Sequence, residues 1–228
     1  MKNIFYLIAV VIGLMFARTV CASETMQMAM NLKPDGEVRI LLAGYRKATI
    51  DWGDGSACET HELSPCFDEQ IKRSSSAYYH AYYSKATHTI IITGENITHI
   101  ECNNTSLTYL DCSFNKLKDL NVNNNTALIE LICWRNKLKS LDVSKNTKLE
   151  YLDCDENQLS TAVRKALFET LHSNPILGKM LSIRNNPETD TCNWMVAVSK
   201  GWAVNYSIRG KEEKIVPIIM PAENNNQK

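Results

Sequence analysis

The feature that most restricts what this chain can fold into is a repeat of 21 residues. Leu107, Leu128 and Leu149 recur at that interval, as do Leu110, Leu131 and Leu152; Cys112, Cys133 and Cys154; Asn115, Asn136 and Asn157; and Leu117, Leu138 and Leu159. The second half of the period repeats through Leu120 and Leu141, Val122 and Val143, then Asn125-Thr126 and Asn146-Thr147. The unit is L-x-x-L-x-C-x-x-N-x-L-x-x-L-x-V-x-x-N-T-x. So short a unit cannot bury its own apolar face, so neighbours must stack, hydrogen-bonding as parallel strands about 4.7 to 4.9 Å apart. The recurring Asn can turn its amide inward onto backbone groups that a tight bend leaves unpaired. Upstream, Ile97, Ile100 and Cys102 fit the second half of the unit, shortened by one residue before Leu107, so the ladder begins near Asn96.

The unit resembles that of leucine-rich-repeat proteins, and among them the short-repeat proteins that bacteria export, akin to internalins. The segments LTYLDCSFNKLKDLNV and LEYLDCDENQL carry the resemblance, which covers residues 96 to about 205. It implies a curved solenoid used for recognition.

After Leu159 the pattern changes. Ser160 is an N-cap candidate, and Ala162, Val163, Ala166, Leu167 and Leu171 mark one helical face. Leu181, Ile183 and Asn186 then reproduce the L-x-C-x-x-N offsets as a fifth, atypical strand. A second helix is expected from about Thr191 to Lys200, ended by Gly201, with Trp202 and Val204 closing the stack. Such caps spare a repeat array its open edges. Residues 211–228 read as a loose tail.

Residues 24–95 read as strands: Met26, Met28, Met30 and Leu32 alternate, Val38 and Ile40 alternate, and Thr89 to Thr93 is a β-branched run. Asp51-Trp52-Gly53-Asp54-Gly55-Ser56 is a turn at the end of the Ala48 to Ile50 strand. With His80-Ala81-Tyr82 downstream, this region resembles a divergent PKD-type β-sandwich module, which implies a spacer, an adhesion unit or a cap on the ladder. The expected fold is a mainly β repeat protein with α+β character at its C-terminal cap: a short leucine-rich-repeat solenoid behind a small β-sandwich-like module. The expected boundaries are 1–22 for a signal peptide, 23–95 for the β module or cap, 96–159 for the repeats, 160–208 for the helical cap and 209–228 for the tail.

Lys2, the apolar run Ile4 to Phe16 and Val20-Cys21-Ala22 read as an export signal, placing the protein outside the cell or on its surface. Cys21 offers a lipid anchor, though Arg18-Thr19-Val20 is a poor lipobox; membrane association would come only by that route. Lys plus Arg and Asp plus Glu both number 25, so no basic field exists to recruit nucleic acid.

Without the signal seven cysteines remain, at 58, 66, 102, 112, 133, 154 and 192, and an odd number cannot all pair within one chain. The column Cys112, Cys133, Cys154 reads as core, because stacked side chains lie a strand spacing apart with parallel Cβ vectors, beyond disulfide reach. Cys58 and Cys66, in a polar loop, are the better disulfide candidates. No histidine recurs with the cysteine column, and Gly53 and Gly55 fill the alternate positions where a calcium loop wants oxygens around Asp51 and Asp54. No metal, cofactor or catalytic constellation is expected.

Function is sought at the positions between the ladder residues, which alternation sends to the concave face. Across units the rows are Tyr109, Glu130, Tyr151; Asp111, Ile132, Asp153; Ser113, Trp134, Asp155; and Phe114, Arg135, Glu156. In the second unit, Ile132 and Trp134 stand where the neighbours carry Asp or Ser. Exposed aromatics beside carboxylates and an arginine compose an interface hot spot. The candidate site is Tyr109, Asp111, Phe114, Glu130, Ile132, Trp134, Arg135, Tyr151, Asp153 and Asp155, its ligand a protein, peptide or glycan. The alternative is a structural or adhesion segment that self-associates.

Overall fold

The computed structural model describes residues 26–34, 36–64, 77–94, 96–187, 193–206 and 214–216. The export signal with Cys21, and also Cys66 and Cys192, lie outside the described residues.

The chain is mostly β with few helices. The repeat leucines and valines enter the core at the spacing the sequence sets: Leu107, Leu128, Leu149 and Leu117, Leu138, Leu159 are fully buried. Between them β8 (Leu107–Asp111), β9 (Glu130–Ile132) and β10 (Tyr151–Asp153) run parallel, with Tyr109, Glu130 and Tyr151 in one register and Leu110, Leu131 and Leu152 in the next. Then β11 (Met180–Ser182) and β12 (Ala203–Tyr206) continue the parallel stack, with Leu181 and Val204 in register with Leu152. The fifth unit thus takes its place, and a sixth strand follows that the sequence reading had only as closing residues.

A second departure concerns the tail: Lys214–Val216 forms β13, antiparallel to β12. Its short Ile-Val core of β-branched residues suits an edge strand, a signal too brief to separate from loop.

Helix α1 (Thr161–Thr170) follows Ser160, but its buried residues are Arg164, Leu167 and Phe168. Ala162 and Ala166, expected on the inner face, are exposed. Arg164 displaces them because its guanidinium donates to the carbonyls of Leu159 and Pro187, capping backbone that the ladder's end leaves free. Helix α2 spans Met195–Ser199, shorter than the expected segment. Trp202 and Val204 are fully buried.

The N-terminal residues form two sheets over a shared core that includes Met28, Met30, Ile40, Leu42, Ile50 and Ile92. The smaller sheet has the order β5 (Ala77–Ala81), β2 (Glu37–Gly44), β7 (Ile97–Cys102). The other strands are β1 (Met26–Leu32), β3 (Lys47–Asp51), β4 (Glu59–Glu62) and β6 (His88–Gly94). They are not a separate sheet: β1 pairs antiparallel with β6 on one side and with β8 on the other, so all ten strands from β13 to β4 form one sheet.

Strand β7 serves both parts. It pairs with β2 in the small sheet, yet its Ile97 carbonyl accepts from Lys116 N–H as those of Leu117 and Leu138 accept from Lys137 and Gln158. Likewise Asn125 Nδ2 donates to Cys102 O, as Asn146 Nδ2 donates to Val122 O.

Candidate functional site

Each repeat leaves its strand through one residue in the left-handed region: Phe114 at φ 55°, Arg135 at 57°, Glu156 at 48° and Asn185 at 54°. For an L-residue this costs about 1 to 2 kcal/mol, and the following asparagine offsets it. Asn136 Nδ2 donates to Cys112 O at 2.9 Å and Cys133 O at 3.1 Å, while its Oδ1 accepts from Leu117 N–H at 3.0 Å. Asn157 and Asn186 repeat these bonds one unit on. The turn displays Phe114, Arg135 and Glu156 along one edge of the sheet. Phe114 is 41% exposed and stands edge-on to the half-buried Trp134, centroids 4.1 Å apart. The Arg135 guanidinium lies 5.1 Å from the Phe114 centroid, and its Nε is 3.6 Å from Glu156.

On the strands themselves, Tyr109, Glu130 and Tyr151 form one half-buried row, with Asp111, Ile132 and Asp153 beside it. Asp111 Oδ1 accepts from both the N–H and the hydroxyl of Ser113, at 2.9 and 2.5 Å; Asp153 Oδ1 accepts from Asp155 N–H at 3.0 Å. Burial pushes the Asp111 carboxyl up, and burial with Glu150 nearby does the same to Glu130. Asp153 is pushed up to about 7, first by burial and then by the charge of Asp155. The Tyr151 phenol rises to about 12, again chiefly through burial.

Asp155 is not a surface group. It is 3% exposed; its Oδ1 accepts from Ser182 Oγ at 2.7 Å and its Oδ2 from Arg184 Nε at 2.6 Å. The next repeat, that of β11, supplies both donors, so the carboxylate is spent on joining two units. Nine of the ten expected residues therefore share the outward face or its edge, and Asp155 lies beneath it.

Sequence reasoning did not reach the neighbours that extend this face. Asn31 stands opposite Tyr109 and Ala29 opposite Asp111 on β1, and Ile91 of β6 stands opposite Ala29. The Met26 to Leu32 alternation turns Ala29 and Asn31 outward, but nothing in it names the strand they pair with.

Cys112, Cys133 and Cys154 are free, fully buried thiols, pushed well up by burial. Cys58 is an exposed free thiol, and its expected partner Cys66 lies outside the described residues.

The two N-terminal motifs meet in space. Asp54 Oδ2 and His80 Nε2 are 2.7 Å apart, the His80 ring stacks on Trp52 at 4.8 Å, and Tyr82 Oη donates to Trp52 O at 2.6 Å. Asp51 and Asp54 each also accept from a backbone N–H two residues on, so turn closure occupies both carboxylates. Among the described residues no three His, Cys, Asp or Glu side chains converge as a metal site.

No protein-family model matches the chain, and no curated protein matches it. Among solved structures it is similar to the functional domain of InlJ from Listeria monocytogenes, described as including a cysteine ladder, at 32% identity over 45% of this chain with a TM-score of 0.36. The match takes in 21% of that chain.

Proposed function

We propose that this protein is an exported, non-catalytic recognition module of leucine-rich-repeat type, with a PKD-like β module at its N-terminus, binding a protein, peptide or glycan through the outward face of its repeat strands. One observation carries the reading. In the second repeat, Ile132 and Trp134 interrupt rows that are otherwise Asp, Ser or Asp, and Trp134 meets Phe114 on the sheet edge, where a left-handed turn holds that ring half in solvent. Aromatic and aliphatic surface ringed by charge is the composition of binding hot spots. The non-catalytic part of the reading is supported by the carboxylates: Asp111 and Asp153 each accept a backbone N–H two residues on, and Asp155 is bonded to Ser182 and Arg184. The export part rests on the apolar run from Ile4 to Phe16.

Partner capture and a glycan array with residues 23–210 test this, with the double variant Trp134→Ala, Ile132→Ala as the control. The expected result is a partner retained by the native sequence and lost by the variant, with the melting temperature nearly unchanged. Loss of binding that tracks a large loss of stability would assign the two residues to the core and overturn the reading.

A further inference from the structure

Between helix α1 and strand β11 the chain folds around one half-buried ring, that of His172. Both of its nitrogens are engaged: Nε2 donates to Leu149 O at 2.7 Å, and Nδ1 accepts from Asn174 N–H at 3.2 Å. Only the neutral imidazole can do both, because a proton on Nδ1 would turn that acceptor into a donor facing an N–H. The Asn174 side chain fastens the same loop to the residues ahead of β10, through Thr147 O at 2.8 Å.

Behind the ring lies a fully buried cation. Lys179 Nζ donates to Asn174 O at 2.7 Å, Lys200 O at 2.8 Å and His172 O at 3.5 Å, and stands 5.5 Å from the Trp202 centroid. Trp202 is fully buried as well; its Nε1 donates to His172 O at 3.0 Å, and its ring lies edge-on to the imidazole, centroids 5.4 Å apart. Among the described residues only carbonyls hold the Lys179 charge, so a second positive charge on His172 would arrive beside one already desolvated. Burial first, and then Lys179, hold the imidazole below its ordinary value, against the Leu149 bond and Glu150; burial pushes Lys179 down too. Of the remaining charged groups on the surrounding elements, Lys200 Nζ is turned to Phe168 O and Glu169 O, and Lys148 and Glu169 are exposed.

The loop leads directly into the last parallel strands. Lys179 O accepts from Ala203 N–H at 2.9 Å, and Met180 N–H donates to Glu150 O at 2.8 Å, so β11 enters the sheet beside β10 from the cation itself. We propose that residues 172–178 form an acid-sensitive latch: when His172 takes a proton at Nδ1, the loop detaches from Leu149, Thr147 and Trp202, and the start of β11 loosens while the repeats ahead of it stay folded. The closed loop favours the neutral ring and the open loop leaves it at its ordinary value, so opening gains as pH falls below about 6.5. This goes beyond the recognition reading and does not depend on it. Because β11 pairs with β10, it makes one end of the candidate face responsive to acid.

Hydrogen exchange of the full chain read by mass spectrometry at pH 7.5 and pH 5, corrected for intrinsic rates, tests the latch beside His172→Gln, whose amide can donate to Leu149 O and takes no proton. From the higher to the lower pH the amides of residues 172–182 are expected to lose at least about tenfold in protection in the native chain and less than about twofold in the variant. Those of residues 107–132 should keep theirs in both. Should His172→Gln fail to fold, imidazole NMR of the native chain decides, with His172 expected to titrate below 6.5. Protection that does not change with pH, a loss that persists in the variant, a loss shared by the whole chain, or a His172 titration at or above 6.5 would each overturn the proposal.

Discussion

Asp155 and Arg184 form an ion pair at 2.6 Å between the repeats of β10 and β11, with the carboxylate 4% exposed and the guanidinium 29%. Truncating Arg184 would leave that carboxylate buried with only the Ser182 hydroxyl and the Arg184 N–H to hold it. Removing one partner of a buried pair costs about 3 to 5 kcal/mol, less here because the arginine reaches solvent. Arg184→Ala is expected to lose about 2 kcal/mol in urea unfolding. Asp155→Asn, which keeps an acceptor and removes the charge, should lose less. A larger loss in Asp155→Asn than in Arg184→Ala would contradict this account.

The asparagine ladder makes a graded prediction. Asn136 donates to Cys112 O, Cys133 O and Trp134 O and accepts from Leu117 N–H, whereas Asn115 donates to Cys112 O and Ser113 O and its buried Oδ1 has no partner among the described residues. A buried group left unsatisfied costs about 1 to 3 kcal/mol. Asn136→Ala orphans the Leu117 N–H as well as carbonyls, so it is expected to destabilise by roughly 3 kcal/mol, and Asn115→Ala by about half as much. Equal losses would show that the amide donors alone carry the turn.

The contrast between these asparagines also shows what the sequence discloses. Repetition gives each role one column, so the buried Leu, Cys and Asn positions and the outward rows are read directly. Asn115 lacks its acceptor role because no full repeat precedes it and β7 pairs with β2 instead, which a column cannot show. Pairing between β1 and β8 joins residues about eighty apart with no periodic trace, so the continuity of the face was hidden. Asp155 is placed on the outward face, and Arg164 is left off the helix's inner face, for one reason: polar side chains go to solvent by default, and the backbone carbonyls and β11-repeat donors that draw these two inward appear only once the chain is folded.

In the N-terminal sheets, the turn at residues 51–56 and the His80-Ala81-Tyr82 strand are expected to fail together. Gly53 sits at φ 74°, and a Cβ there would lie 2.1 Å from Thr89 O. Gly53→Ala meets backbone on both counts and is expected to cost more than about 3 kcal/mol. Tyr82→Phe deletes only the 2.6 Å bond to Trp52 O and should cost about 1 to 2 kcal/mol. Thermal melts rank the two; a tolerated Gly53→Ala would refute the close approach.

The outward carboxylates give a dependence on pH whose direction follows from Asp153. Its folded carboxyl sits at about 7 against an ordinary 3.8, held up chiefly by burial. Below about pH 4 the folded and unfolded chains both carry the proton, so the group takes nothing from stability. Between about 4 and 7 the unfolded chain ionises first, and the folded state becomes progressively less stable. Above 7 both are ionised and the penalty is constant. Asp153→Asn retains an oxygen for the Asp155 N–H and cannot ionise, so its advantage over the native protein should be absent near pH 4, grow through pH 6 and level off above 7, at roughly 1 to 3 kcal/mol. Melting both proteins at pH 4, 5.5 and 7.5 measures it. A pH-independent difference would mean that packing, and not the buried charge, separates them.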